Sequence, residues 1–224
     1  MIGLVTLYYK KILQACIEVL FPEFCIGCES LNTLLCRNCY ETIEFLQFAL
    51  SSKEKCPNLS SITCCCYYDG LAKKIIQELK YHSVIAAGKT VAHLMYYTCY
   101  LPEHCVVTFV PMHKKKIGKR GFNQTEVIAT ELSKLTNKPV AQLLVKTQTT
   151  KSQMSIHSKD IRKQNIIGTI SINPQVSTHA TKTYTSVLII DDVFTSGATL
   201  EYCAKILTDF GFTTVHGLCF AHQS

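Results

Sequence analysis

Apolar residues recur along this chain with two different periods, and the change of period divides it near residue 55. Over residues 4–20 the spacing is helical and predicts an amphipathic helix, which leads through Phe21-Pro22 into a cysteine-rich stretch. A second helical stretch follows Cys39 and carries Ile43, Leu46, Phe48 and Leu50. The polar piece 51–61, with serines, lysines, Pro57 and Asn58, predicts a linker. From Thr63 onward strands and helices alternate. Strands are predicted at 63–68, 105–110, 140–145, 166–172, 187–190 and 213–220. Helices are predicted at 71–80 (Leu71, Ile75, Ile76, Leu79), at 84–98, and from an Asn123 cap with Ile128, Leu132 and Leu135 as the buried stripe. The last helix starts at Ala198, carries Leu200, Cys203, Ile206, Leu207 and Phe210, and stops at Gly211. The order predicts an α/β domain with a parallel sheet over 60–224, preceded by a small cysteine module with an N-terminal helix over 1–55.

Composition narrows this picture modestly. Hydrophobic residues make up 47% of the 224, enough for a real core, and 23 basic against 16 acidic residues give a net charge of +7. That charge permits contact with polyanions without requiring it. Lys10, Lys11, Gln14 and Glu18 break the apolar start, so no run approaches the ~20 residues of a membrane span, and a cytoplasmic protein is expected.

Thirteen cysteines suggest a disulfide framework until their spacing is read. Cys25-x2-Cys28 and Cys36-x2-Cys39 are two knuckles separated by seven residues, a pattern suited to four thiolate ligands around structural Zn²⁺, with Gly27 and Asn38 allowing tight turns. Cys16, Cys99, Cys105, Cys203 and Cys219 sit in apolar runs as small core residues, and Cys56 with Cys64-Cys65-Cys66 is read as structural thiols.

The chemistry concentrates at residues 187–200. Val187, Leu188, Ile189 and Ile190 form an unbroken apolar run, as in a strand covered on both faces, and Asp191 and Asp192 follow where it would emerge into a crevice. Thr195, Ser196 and Gly197 then open a helix, making a donor-rich anion site suited to a phosphate. Two carboxylates cannot face that phosphate, so they should serve hydroxyls beside it. A phosphorylated sugar meets both demands. No Gly-x-x-x-x-Gly-Lys-Ser/Thr run exists, which disfavours a P-loop nucleotidase.

Upstream, Met112 to Gln124 packs five cations (Lys114, Lys115, Lys116, Lys119, Arg120) into seven residues with Gly118, Gly121 and Phe122, and is read as a mobile loop. By pattern alone three uses stay open: a solvated surface, a cover for a departing pyrophosphate, or a site for single-stranded nucleic acid with Phe122 stacking on a base.

The segment 187–200 resembles the phosphoribosyl pyrophosphate (PRPP) loop of type I phosphoribosyltransferases. Arg120-Gly121-Phe122-Asn123-Gln124 after a strand and Pro111, Tyr68-Asp69-Gly70 with Leu79-Lys80-Tyr81, and Gln153 with Arg162, Asn165 and Gly168 resemble the ComF (ComFC) competence family. Lys146 departs from it, standing where that family usually has arginine. The resemblance implies a type I phosphoribosyltransferase-like parallel sheet joined to a zinc ribbon-like module. It also implies PRPP binding with Mg²⁺ and a role in DNA uptake during natural transformation, with single-stranded DNA and other DNA-uptake proteins at the inner face of the membrane as partners. Asp191 and Asp192 would hold the ribose hydroxyls, and Thr195 to Thr199 (Thr195, Ser196, Gly197, Ala198, Thr199) the 5′-phosphate, with Val193 and Phe194 completing the PRPP loop. Lys80, Lys119 and Arg120 are the candidates for the pyrophosphate. Lys114, Lys115, Lys116, Lys119, Arg120 and Phe122 are the candidates for DNA. Two function classes follow: a PRPP-dependent transferase of unspecified acceptor, or a non-catalytic PRPP-sensing nucleic-acid-binding factor.

Overall fold

The structure, a computed structural model, describes residues 23–46, 56–81, 85–147, 168–177 and 183–223. The helix expected over 4–20, Cys16, Phe48, Leu50 and the motif residues Gln153, Arg162 and Asn165 lie outside the described residues.

Four parallel strands form the main sheet. β1 (Ser61–Tyr67) lies at one edge, followed by β6 (Thr214–His222), the central β5 (Ser186–Phe194) and β2 (Cys105–Phe109) at the other edge. The apolar run of β5 serves two cores because successive side chains point to opposite faces. Leu188 and Ile190 pack with Ile75, Leu79, Met95 and Ile128 from α2 (Gly70–Tyr81), α3 (Ile85–Thr98) and α5 (Gln124–Thr136). Val187 and Ile189 pack on the other face with Leu200, Cys203 and Leu207 of α6 (Ala198–Phe210). Gly211, at φ 119°, ends α6 as expected, its N–H donating to the carbonyls of Leu207 and Thr208.

Two strand expectations need correction. Of residues 140–145 only Val140 meets the main sheet, by an isolated parallel bridge to Val107 of β2, and the described residues 168–172 do not join it. β3 (Leu144–Lys146) and β4 (Ile170–Ile172) form a separate antiparallel pair, with Leu144 opposite Ile172 and Lys146 opposite Ile170. Only Leu144 and Ile170 of this pair are buried, so it packs with one face and could not sit between two helix layers. The chain touches the sheet just before it, where Val107 donates its N–H to the Pro139 carbonyl and Ala141 donates back to Val107.

The cysteine module, which contains the short helix α1 (Arg37–Tyr40), packs on the edge of the sheet. Glu44 to Leu46 run antiparallel to β1: Leu46 N–H donates to the Cys65 carbonyl, and Tyr67 N–H to that of Glu44. This strip covers an edge that would otherwise offer unpaired backbone groups. Ile26 and Ile43 carry the module into the α2–α3 core. Cys56, Cys64, Cys65 and Cys66 are buried among apolar side chains, in agreement with a structural reading.

Candidate functional site

The cleft opens where β2 stops and β5 does not. Val110 donates its N–H to the Ile190 carbonyl as the last rung between them, and Pro111 turns the chain away. β5 runs on, paired only with β6 through Asp191 opposite Cys219, Val193 opposite Ala221 and Phe194 opposite His222. The strand was expected to end at Ile190, because the apolar run ends there. It continues because the pairing with β6, and not the hydrophobic pattern, decides its length. Asp191 and Asp192 are therefore held by a strand at the mouth of a cleft of about 300 Å³, shared with Lys80, Lys116, Arg120 and Lys146.

Each carboxylate is anchored by one oxygen. Asp191 Oδ1 accepts the N–H of Asp192 at 2.8 Å. Asp192 Oδ2 accepts from Lys80 Nζ at 3.0 Å and from Gln124 Nε2 at 2.7 Å. Asp191 Oδ2 and Asp192 Oδ1 have no hydrogen-bond partner among the described residues. Two neighbouring acceptor oxygens, fixed in place, suit two adjacent hydroxyls.

The charges of the cleft shape one another. Burial and the neighbouring Asp192 carboxylate push the Asp191 pKa up to about 7. Burial works against the Lys80 charge, but Asp192 and Asp191 outweigh it, so its pKa lies above the ordinary lysine value. Lys146, also desolvated and facing Lys116, is shifted down. A carboxyl whose folded pKa is raised favours folding fully at a pH below its unfolded value, and this contribution is lost as the pH rises through the folded value. Asp191→Asn is therefore expected to leave thermal stability unchanged near pH 4. Between pH 4 and pH 7 it should progressively stabilise the ligand-free protein, by roughly a few kcal/mol at most. Thermal melts of both proteins across that range check it.

The basic segment is not a loop. Lys114–Arg120 form the seven-residue helix α4, capped by the His113 ring, which accepts from the Lys115 N–H, and closed by Gly121 at φ 89°. Helical spacing divides the cations. Lys116 and Arg120, four apart, line the cleft, whereas Lys114, Lys115 and Lys119 are exposed outside it. Of the three residues expected to meet pyrophosphate, the structure brings Lys80 and Arg120 to the cleft and not Lys119. Lys116, expected among the DNA contacts, lines the cleft instead. Phe122 is half-buried against the α2–α3 core, and the exposed ring beside the helix is Tyr81, with the Arg120 guanidinium 5.8 Å from its centroid.

The residues after α4 now have individual tasks. Gly121 ends the helix, Phe122 anchors the turn, and Asn123 caps α5 while donating to the Val110 carbonyl at 3.2 Å. Gln124, which sequence reasoning passed over, is thereby aimed at Asp192. The signal that could have found it is its place in the Arg120-Gly121-Phe122-Asn123-Gln124 motif, just after the Asn123 cap.

On the other side of the acid pair, Thr195 to Thr199 curve around a small hollow at the start of α6. Gly197 sits at φ 76°, and a Cβ there would lie 2.6 Å from Cys56 Sγ and 2.9 Å from the Phe194 ring. Only glycine fits this turn. Phe194 itself is a buried anchor of the α6 core, so its side chain holds the loop.

In the N-terminal module the sulfurs of Cys25, Cys28, Cys36 and Cys39 all lie within 4.8 Å of one another, a group able to hold a metal ion. Burial raises the Cys25 pKa, but the backbone N–H groups of Cys28, Cys36 and Gly27 outweigh it and bring it to about 6, favouring the thiolate a metal needs. Gly27 is required by space: an added Cβ would lie 2.5 Å from Cys39 Sγ. The left-handed turns of the module fall at Glu29 and Asn32.

No family model matches the chain. Competence protein F of Haemophilus influenzae is 28% identical over 147 residues, covering 61% of this chain and 62% of that protein. Competence protein ComFC of Bacillus subtilis is 24% identical over 147 residues, 64% of this chain and 56% of that protein. The chain is thus similar to the ComF competence proteins. DNA utilization protein YhgH of Escherichia coli O6:H1 is 28% identical over 121 residues, 53% of this chain and 49% of that protein. The matched region thus spans about half to three-fifths of these ComF relatives. Among solved structures, glutamine PRPP amidotransferase from B. subtilis aligns at 21% identity and a TM-score of 0.36, over 59% of this chain and 24% of that one. The allosteric regulatory enzyme of purine biosynthesis aligns at 21% and 0.41, over 61% and 26%. No helix among the described residues is long and apolar enough to cross a membrane.

Proposed function

We propose that this ComF-type chain binds PRPP with Mg²⁺ in the cleft and acts in DNA uptake as a phosphoribosyltransferase-like protein whose acceptor the residues do not specify. The observation that carries the reading is the pair of unpartnered oxygens, Asp191 Oδ2 and Asp192 Oδ1, between a cationic wall and a hydroxyl-rich loop. In this reading the two oxygens accept from the ribose hydroxyls and the Thr195–Thr199 segment cradles the 5′-phosphate. Lys80, Lys116 and Arg120 would neutralise the charge that gathers on pyrophosphate as it leaves, and the carboxylates would stabilise positive charge on the ribose ring. Hard carboxylate oxygens of this kind suit Mg²⁺, which would supply further charge neutralisation when bound. In the N-terminal module, four convergent thiols suit tetrahedral Zn²⁺ in a structural role. Isothermal titration with PRPP and Mg²⁺ tests the cleft. Pyrophosphate release over free bases and single-stranded DNA then tests turnover, and absence of PRPP binding overturns the reading.

A second reading, a non-catalytic PRPP sensor that binds nucleic acid, is favoured by the cations of α4 that lie outside the cleft. Lys114, Lys115 and Lys119 are free of the sugar-phosphate site, and Tyr81 offers an exposed ring beside Arg120 at the rim of the cleft. Single-stranded DNA is expected to bind there with little sequence preference, alongside other DNA-uptake proteins at the cytoplasmic face of the inner membrane. Each phosphate contact contributes about 0.7 to the logarithmic salt slope, so neutralising these three lysines should flatten it by about two units. Fluorescence anisotropy at several salt concentrations measures this. An unchanged slope would mean that DNA, if bound at all, sits elsewhere.

A further inference from the structure

Gln124 stands between the two halves of the cleft, and the reading above does not use it. The residue is only 9% exposed. Its Nε2 donates to Asp192 Oδ2 at 2.7 Å, and its Oε1 accepts from Arg120 Nη1 at 2.6 Å. An ionised carboxylate offers only acceptors and a guanidinium only donors, so these partners fix which way the amide points. The backbone is held as firmly. Asn123 and Thr125, on either side, both donate to the Val110 carbonyl, at 3.2 Å and 2.7 Å, which fastens the start of α5 to the end of β2.

This arrangement has a geometric consequence at Asp192. Lys80 and Gln124 both use Oδ2, and Oδ1 is left to the cleft. Lys80 alone could not fix the turn of the carboxylate, because an ammonium on a flexible stem follows its partner as it rotates. A second donor, rooted in a different element, removes that freedom. The chain from Arg120 through Gln124 to Asp192 also polarises in series, each donor strengthening the next.

Resting on the reading that Asp192 Oδ1 receives a sugar hydroxyl, we infer that Gln124 is a positioning residue for that contact. It sets the turn of the Asp192 carboxylate without touching the ligand, and it does so against a cation of the pyrophosphate side. Its effect falls on the sugar half of a ligand, because Asp192 depends on it for orientation, whereas Arg120 keeps its charge and its contact with Tyr81 without it.

Titration of the full chain with ribose 5-phosphate, pyrophosphate and PRPP, each with Mg²⁺, tests the assignment. Gln124→Met is expected to weaken ribose 5-phosphate and PRPP by about tenfold or more, while pyrophosphate stays within about twofold. Gln124→Glu adds a readout that packing alone would not move. At about pH 8 it sets a second carboxylate against Asp192, and ribose 5-phosphate binding should be about tenfold weaker than in the wild type. At about pH 5.5, with that acid protonated, one oxygen donates and the other accepts as in the amide, and binding should return to within about threefold of the wild type.

Lys80, Lys116, Arg120, Lys146 and Asp191 face the same space, with His113 at its rim, in both proteins. The quantity compared is therefore the ratio of variant to wild type at each pH. Equal weakening of all three probes, an absence of recovery at low pH, or unchanged ribose 5-phosphate affinity in folded Gln124→Met would each overturn the inference. If the methionine variant does not fold, the glutamate variant at the two pH values decides it alone. A wild-type protein that binds none of the probes overturns the PRPP reading itself, a separate outcome.

Discussion

Cys39→Ser is expected to unfold the N-terminal module and to release its metal. Four thiolates of one cluster are required for tetrahedral closure, and a structural Zn²⁺ in a small module contributes on the order of 10 kcal/mol of apparent binding energy. Within residues 23–46 little else can hold the fold: Cys25, Ile26 and Ile43 are its buried apolar side chains. Loss of the module should also spread, because Ile26 and Ile43 would leave the α2–α3 core and the Glu44–Leu46 strip would leave β1. Elemental analysis should find about one zinc per chain in wild-type protein prepared without chelator, and almost none in the variant. Thermal unfolding should show an earlier transition in the variant. Wild-type protein lacking stoichiometric metal would overturn the zinc assignment.

Replacing both acids, Asp191→Asn with Asp192→Asn, is expected to weaken PRPP binding by at least about tenfold, because charge-assisted hydrogen bonds contribute roughly 1.5–3 kcal/mol each. The amide oxygen at 192 can still accept from Lys80 and Gln124, so the strand and the cleft should keep their shape. What the double variant loses is the charge that would draw hydroxyl protons and balance the ribose ring. Titration calorimetry with Mg²⁺ measures the loss, and far-ultraviolet circular dichroism checks the fold. Unchanged PRPP affinity in a folded double variant would remove the acid pair from the site.

The parts of the site legible in the sequence were those encoded by neighbours in the chain. Val187 to Ile190, the acid pair and Gly197 fall within one short stretch of chain, and each residue type states its own requirement. The four cysteines were legible for the same reason, since two knuckles fix ligand geometry locally. What stayed hidden depended on distant partners or on competing local signals. The continuation of β5 through Asp191 to Phe194 is dictated by β6, which lies beyond α6. Helix α4 was masked by Gly118 and Gly121, since glycine lowers helix propensity by about 1 kcal/mol relative to alanine. Only Gly121 proves to be a terminator, and the His113 cap supplies the start. Once the stretch was taken for a loop, the shared face of Lys116 and Arg120 could not be seen. Phe122 was offered to a base because aromatic residues beside cations suggest stacking, whereas its burial depends on a core assembled from other segments.

The strand order carries a lesson about synthesis. β1 is the first strand of the described parallel sheet and pairs in it with β6, the last, with Ser61 bonded to His216 across 155 positions of the chain. On the ribosome, β1 therefore emerges long before its partner exists, and long-range parallel pairing of this kind is slow and exposed to aggregation. Among the described residues, a strand-like companion made before β1 is Glu44–Leu46, which is bonded to β1 in the finished protein. Early metal capture by the cysteines just upstream would make that companion rigid in time, so zinc supply during translation should influence the yield of folded chain more than its later removal does.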